Sequence, residues 1–107
     1  MQHPNTCRAF VLTMATAISL CQADAVGDLN EGLALVQQVC SQCHATSSDL
    51  ARSPDPLAPT FSELKGTPGM TRTALLVALT TPHAGMPMFT LSPEQRDDII
   101  AYILNLR

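Results

Sequence analysis

Two cysteines and a histidine stand within five residues of one another, as Cys40-Ser41-Gln42-Cys43-His44. If this segment is helical, Cys43 lies three residues after Cys40 and His44 lies four residues after it. Side chains at these spacings share one face of a helix. Two thiols and an imidazole are therefore expected to point at a single bound group. The need to enclose that group constrains the fold more than any other feature of the sequence.

The spacing C-x-x-C-H is the attachment signature of c-type haem, in which two thiols bond one edge of the porphyrin and the imidazole binds the iron. Three other chemistries use a C-x-x-C pair. A thioredoxin-like redox pair needs a β-α-β context, and no strand alternation is visible. A zinc site usually takes four ligands. A disulfide between Cys40 and Cys43 would leave the proline-rich segment 45–69 unexplained. We therefore predict covalent haem c on Cys40 and Cys43, with His44 as the proximal iron ligand.

The composition agrees with a small domain built around a cofactor. The chain has 107 residues, of which only 4% are aromatic, with no Trp. So small a chain has little with which to build a core. The 46% hydrophobic and 14% charged residues exclude a disordered chain. The net charge of −3 argues against a nucleic-acid partner.

The N-terminal residues 1–25 have the pattern of a secretory signal peptide. Arg8 supplies the positive charge, residues 9–20 are an apolar run of 12 residues, and Ala23-Asp24-Ala25 is an A-x-A cleavage site. The apolar run is too short to span a bilayer as a helix. The pattern predicts cleavage after Ala25 and export to the periplasm, an oxidising compartment.

Two alternative interpretations apply to this segment. A buried amphipathic helix would show a polar stripe, which residues 9–20 lack. A lipoprotein signal would make Cys21 the lipid-bearing residue, but Leu20 stands where such signals have a small residue. Residues 26–107 are therefore predicted to form the one folded domain.

Helical periodicity organises the predicted domain, so the predicted fold class is all-α. Asp28 is expected to cap a first helix that runs to about Val39. Thr71 is expected to cap a second helix that ends before Pro82. Ser92, followed by proline, begins the last helix.

The last helix carries an apolar stripe, and the middle of the chain does not. The stripe at i, i+3, i+4 and i+7 predicts burial of Ile99, Tyr102, Ile103 and Leu106. Residues 45–69 hold four prolines and no sustained periodicity, so they are predicted to form a loop that wraps a large ligand.

The second axial ligand of the iron has four candidates in the predicted domain: Met70, His83, Met86 and Met88. Pro87 biases Met86 to an extended conformation and stiffens the loop that carries it. We therefore predict Met86 as the distal ligand, with Met88 as the fallback if the register of the loop differs by two. Met70 fits core filler, and His83 fits a surface or hydrogen-bonding residue.

With these motifs, the chain resembles the class I monohaem c-type cytochromes. The resemblance covers most of residues 28–106, through CSQCH, the Met-Pro element in HAGMPMF and the final helix DDIIAYILNL. It implies a small fold of three to four helices around one covalent haem, with the first and last helices crossing.

The resemblance also implies particular contacts. A small residue on the first helix contacts an apolar and an aromatic residue on the last, which points to Gly32 with Ile99 and Tyr102. Val36 stands where the family usually has an aromatic residue. A proline carbonyl accepts a hydrogen bond from the proximal histidine, and Pro59 is the candidate.

The expected function follows from the two axial ligands. When both positions are filled, no site remains open for oxygen or substrate, which suits one-electron transfer rather than catalysis. Membrane or periplasmic redox proteins are the expected donor and acceptor, with peripheral contact to membrane complexes. Two alternatives remain: a haem-bearing electron-accepting subunit of a dehydrogenase or oxidase complex, and a haem sensor or peroxidase-like protein in which Met86 is displaced.

Overall fold

A computed structural model describes residues 26–107, which form four α-helices joined by loops, and this range contains no β-strand. The predicted all-α class is confirmed. The helices are α1, Leu29–Leu35; α2, Phe61–Gly66; α3, Arg72–Thr80; and α4, Pro93–Leu104. Helix α1 is continued by a π-helical turn, Val36–Cys40, which ends one residue beyond the predicted end of the first helix.

The signal peptide predicted for residues 1–25 lies outside the described residues. Within residues 26–107, no helix is long and apolar enough to cross a membrane.

The three helix N-caps predicted from the sequence are present in the structure. The Asp28 carboxylate accepts two backbone N–H groups in the first turn of α1, and the Thr71 hydroxyl accepts one in α3. At α4, the N–H of Gln95 donates to the Ser92 hydroxyl, and the N–H of Ser92 donates to the Gln95 side chain. These bonds satisfy N–H groups that have no partner within the helix.

The prediction of a loop over residues 45–69 is wrong for the second half of this segment, which contains α2. The Thr60 hydroxyl accepts the N–H of Glu63 at 3.0 Å, and the Glu63 carboxylate accepts the N–H of Thr60 at 2.7 Å. A helix of six residues is too short to show periodicity. The spacing T-x-x-E just before Leu64 was the available signal, since it is the signature of a capping box.

Helices α1 and α4 cross in the largest helix–helix contact of the described residues. A Cβ atom at Gly32 would overlap the backbone carbonyl of Asp98 and lie 2.9 Å from the Cβ of Tyr102. The backbones of the two helices therefore meet at Gly32, as predicted, with Tyr102 as one partner. Ile99, the other predicted partner, is 1% exposed within the core, and the three atoms nearest to a Cβ at Gly32 belong to Asp98 and Tyr102 instead.

The core is small, and its buried side chains come from α2, α3, α4 and the π-helical turn. Ile99 and Ile103 of the predicted stripe are buried, while Tyr102 and Leu106 are half-buried. The fully buried members of the core cluster are Val36, Phe61, Leu75, Ile99, Ile100 and Ile103.

The helix crossing predicts that Gly32→Ala destabilises the holoprotein strongly. Because the new methyl group meets backbone, which cannot rotate away, we expect a loss of about 2 kcal/mol or more in the free energy of unfolding. Gly66→Ala is the matched control, since nothing lies within 4 Å of a Cβ there, and it should change the free energy by less than about 1 kcal/mol. Thermal unfolding followed by circular dichroism measures both, and equal effects would contradict the close approach.

Candidate functional site

The C-x-x-C-H motif forms a tight turn directly after the π-helical turn. The backbone N–H groups of Cys43 and His44 both donate to the carbonyl oxygen of Cys40, at 3.2 and 2.9 Å. This geometry brings both thiols and the imidazole to the wall of one cavity. Cys40 and Cys43 are not joined in a disulfide.

The segment after the motif is held by backbone hydrogen bonds from the loop that follows. The N–H of Asp55 donates to the carbonyl of Cys43 at 3.1 Å, and the N–H of Phe61 donates to the carbonyl of Ala45 at 2.9 Å. The chain therefore leaves the motif, turns, and bonds back to Cys43 and to Ala45, the first residue after the motif. Sequence reasoning predicted the wrapping loop but not these contacts.

Helix α4 fixes the same segment from the other side. The hydroxyl of Tyr102 donates to the backbone carbonyl of Thr46 at 2.7 Å, and Thr46 is only 6% exposed. Burial, with a smaller contribution from the charge of Asp49, raises the pKa of Tyr102. The phenol therefore keeps the proton that it donates over the whole physiological range.

The imidazole of His44 is oriented by a proline carbonyl. Its Nδ1 lies 2.7 Å from the carbonyl oxygen of Pro59, the residue that the resemblance implied. A carbonyl only accepts, so Nδ1 carries the hydrogen and Nε2 keeps its lone pair for a metal. The ring of Phe61 packs against the imidazole, with centroids 5.4 Å apart and planes at 45°.

The cavity has a volume of about 790 Å³, which lies within the range of about 300–1,000 Å³ that is typical of small-molecule and cofactor sites. Its walls are mainly apolar. Four of its lining side chains also belong to the buried core cluster, namely Phe61, Leu75, Ile99 and Ile103.

The thiol of Cys40 does not have the character of a reactive redox cysteine. Burial raises its pKa to about 11, whereas thiols that act in disulfide exchange have lowered pKa values. A structural zinc site takes four protein ligands. Among residues 26–107, not even three His, Cys, Asp or Glu side chains lie close enough together to bind one metal ion.

The candidates for the distal ligand occupy different environments. Met86 is half-buried and lines the cavity that also contains the motif, whereas Met88 is 53% exposed and is not part of its lining. Met70 lines the cavity too but packs against the core cluster, as core filler does. His83 also lines the cavity, beside Met86.

An all-α fold with a C-x-x-C-H turn, an imidazole held at Nδ1 and a methionine facing the same apolar cavity defines the class of c-type cytochromes. Residues 27–103 match the family described as "Cytochrome C oxidase, cbb3-type, subunit III", and the chain belongs to this family.

The chain is also 35% identical over 101 residues to "Cytochrome c-552" of Bradyrhizobium diazoefficiens, which covers 94% of each chain. No solved structure matches it significantly. Family and relative together show a monohaem c-type cytochrome, whose cofactor is covalently bound haem c with its iron. Two unpaired thiols, an available imidazole Nε2 and an apolar cavity fit that cofactor.

Proposed function

We propose that the protein carries single electrons between redox proteins, with haem bonded to Cys40 and Cys43 and its iron ligated by His44 and Met86. One observation carries the proposal: all four side chains line the same apolar cavity. The haem iron supplies the one-electron couple, and the chain supplies its attachment, its two ligands and its surroundings.

The arrangement of the ligands supports electron transfer rather than catalysis. Two protein ligands leave the iron no open position, and a thioether ligand raises the reduction potential. His44 is held through Pro59 and packed by Phe61, and these two contacts restrict the orientation of its ring. A site that moves little between oxidation states exchanges electrons readily.

We further propose that residues 1–25 are a signal peptide and that residues 26–107 act in the periplasm. The charged, apolar and A-x-A segments described above support this assignment. The partners are a redox protein that donates an electron and another that accepts it, and contact with membrane complexes is peripheral.

A second candidate function is that of a haem-bearing subunit of an oxidase or dehydrogenase complex. The family description, which names a subunit of an oxidase, favours it. The relative named as a cytochrome c-552 has nearly the same length as this chain, which favours a separate carrier.

Native size distinguishes the two functions. A free carrier should elute from size-exclusion chromatography of a mildly solubilised native extract as a monomer of haem protein. Co-elution of the haem signal with a much larger complex, stable to added salt, would instead establish the subunit.

Attachment through both thiols makes a further prediction. Acid–acetone extraction of the wild-type protein should leave the haem on the polypeptide, whereas Cys40→Ala with Cys43→Ala should lose it. That double variant should also be largely unfolded by circular dichroism, because side chains of so small a domain supply only about 3–5 kcal/mol. Free haem from the wild-type protein, or cooperative melting of the double variant, would contradict the prediction.

The identity of the distal ligand can be tested with matched methionine variants. Met86→His should retain covalent haem, lose the charge-transfer band of ferric iron–sulfur ligation, and have a lower reduction potential, within the range of about 0.8 V that axial ligands control. Met88→Leu should leave the band and the potential nearly unchanged. If Met88→Leu abolishes the band and Met86→Leu does not, Met88 is the ligand.

A further inference from the structure

The carbonyl that holds the imidazole of His44 belongs to a peptide group with a second hydrogen bond on its opposite side. The Nδ1–H of His44 donates to the carbonyl oxygen of Pro59 at 2.7 Å. The N–H of the same peptide group is that of Thr60, and it donates to a carboxylate oxygen of Glu63, also at 2.7 Å. Imidazole, peptide group and carboxylate are therefore joined in one continuous chain of two hydrogen bonds.

The peptide group at the centre of this chain is held from both sides. Thr60 is only 7% exposed, and its hydroxyl accepts the N–H of Glu63 at 3.0 Å, which completes the capping box of α2. The next N–H along the backbone, that of Phe61, donates to the carbonyl of Ala45 at 2.9 Å. These bonds set the plane of the peptide group, and with it the direction of the Pro59 carbonyl.

A hydrogen bond at the N–H of a peptide group strengthens the bond that its oxygen accepts. Electron density moves toward the oxygen, and hydrogen bonds in a chain strengthen one another by about 10–30% per bond. A carboxylate is a charged acceptor, and bonds to charged groups are roughly twice as strong as bonds between neutral groups. The carboxylate of Glu63 thus makes the Pro59 carbonyl a better acceptor for the Nδ1–H of His44.

We propose that Glu63 is a positioning residue for the proximal iron ligand, and that it acts through the peptide group bonded to His44. The inference rests on the proposed ligation by His44. A stronger acceptor at Nδ1 makes the imidazole a better electron donor at Nε2, as a carboxylate bonded directly to a metal-binding histidine does. Ferric iron gains more from that donation than ferrous iron does, so the carboxylate lowers the reduction potential.

Helix α4 shows how the charge of Glu63 can be removed without loss of the capping box. There the side chain of Gln95 accepts the N–H of Ser92 at 2.9 Å, so a neutral amide oxygen occupies the equivalent position. Glu63→Gln should therefore keep the geometry of α2 and remove only the negative charge, whereas Glu63→Ala removes the acceptor as well. Glu94→Gln removes an exposed carboxylate from the first turn of α4 and is the control for surface charge.

The experiment compares these variants with the wild type as holoproteins at one pH. Two quantities are measured: the reduction potential at low and at high ionic strength, and the proton chemical shift of the His44 Nδ1–H in the ferrous protein. The chemical shift reports the hydrogen bond to Pro59, since a stronger bond moves the proton downfield. A distant surface charge would change the potential but not this chemical shift.

In Glu63→Gln, the reduction equilibrium of the iron should shift toward the ferrous state by about two- to fivefold, which is about 20–40 mV at 59 mV per tenfold. The higher potential should persist at high ionic strength, because salt screens distant exposed charges far more than a hydrogen-bonded chain. The Nδ1–H resonance should move upfield. Glu63→Ala should show both effects at least as strongly, and Glu94→Gln should leave the resonance in place.

Two results would overturn the role of Glu63: a potential in Glu63→Gln that returns to the wild-type value at high ionic strength, or an unmoved Nδ1–H resonance. Failure of the proposed ligation has a different signature, which is visible in the wild type. The porphyrin ring current shifts the carbon-bound ring protons of an iron-bound histidine strongly upfield in the ferrous protein. If those of His44 lack that shift, the proposed ligation and the role of Glu63 both fail.

Discussion

Part of the hydrophobic core of this protein is also the wall of the apolar cavity beside the C-x-x-C-H turn. Phe61, Leu75, Ile99 and Ile103 belong to both, and they are four of the six members of the buried core cluster. A domain of this size has few other apolar side chains to bury. With haem bonded in the cavity, the porphyrin provides the opposing apolar surface. Burial of that surface then stabilises the folded chain, because apolar area removed from water favours folding.

The crossing of α1 and α4 positions the site relative to this core. The absence of a side chain at Gly32 lets the two backbones touch, which fixes α1 against α4. Helix α1 leads through the π-helical turn into Cys40, while α4 carries Ile99 into the cavity wall and Tyr102 to the carbonyl of Thr46. The position of the C-x-x-C-H turn over the cavity therefore depends on a contact more than one helical turn away from it.

Features that depend on neighbouring residues could be predicted from the sequence. The C-x-x-C-H turn and the caps at Asp28 and Ser92 are of this kind, because each involves a few residues in succession. Helix α2 was missed because six residues show no periodicity, although its capping box was visible. The bond from Tyr102 joins residues 56 apart, and no local pattern encodes it. The partner of His44 was available only from the resemblance to a family.

The two sides of the proposed iron site are supported very differently. On the proximal side, the loop between the motif and α2 bonds back to Cys43, and Pro59 holds the ring of His44. On the distal side, Met86 lies in an exposed loop, and its close contacts are with His83, three residues away in the same turn. A change in the proximal support disturbs the core, whereas a change in the distal turn leaves it intact. Substitutions in the distal turn are therefore expected to cost less folding stability than substitutions that disturb the proximal support.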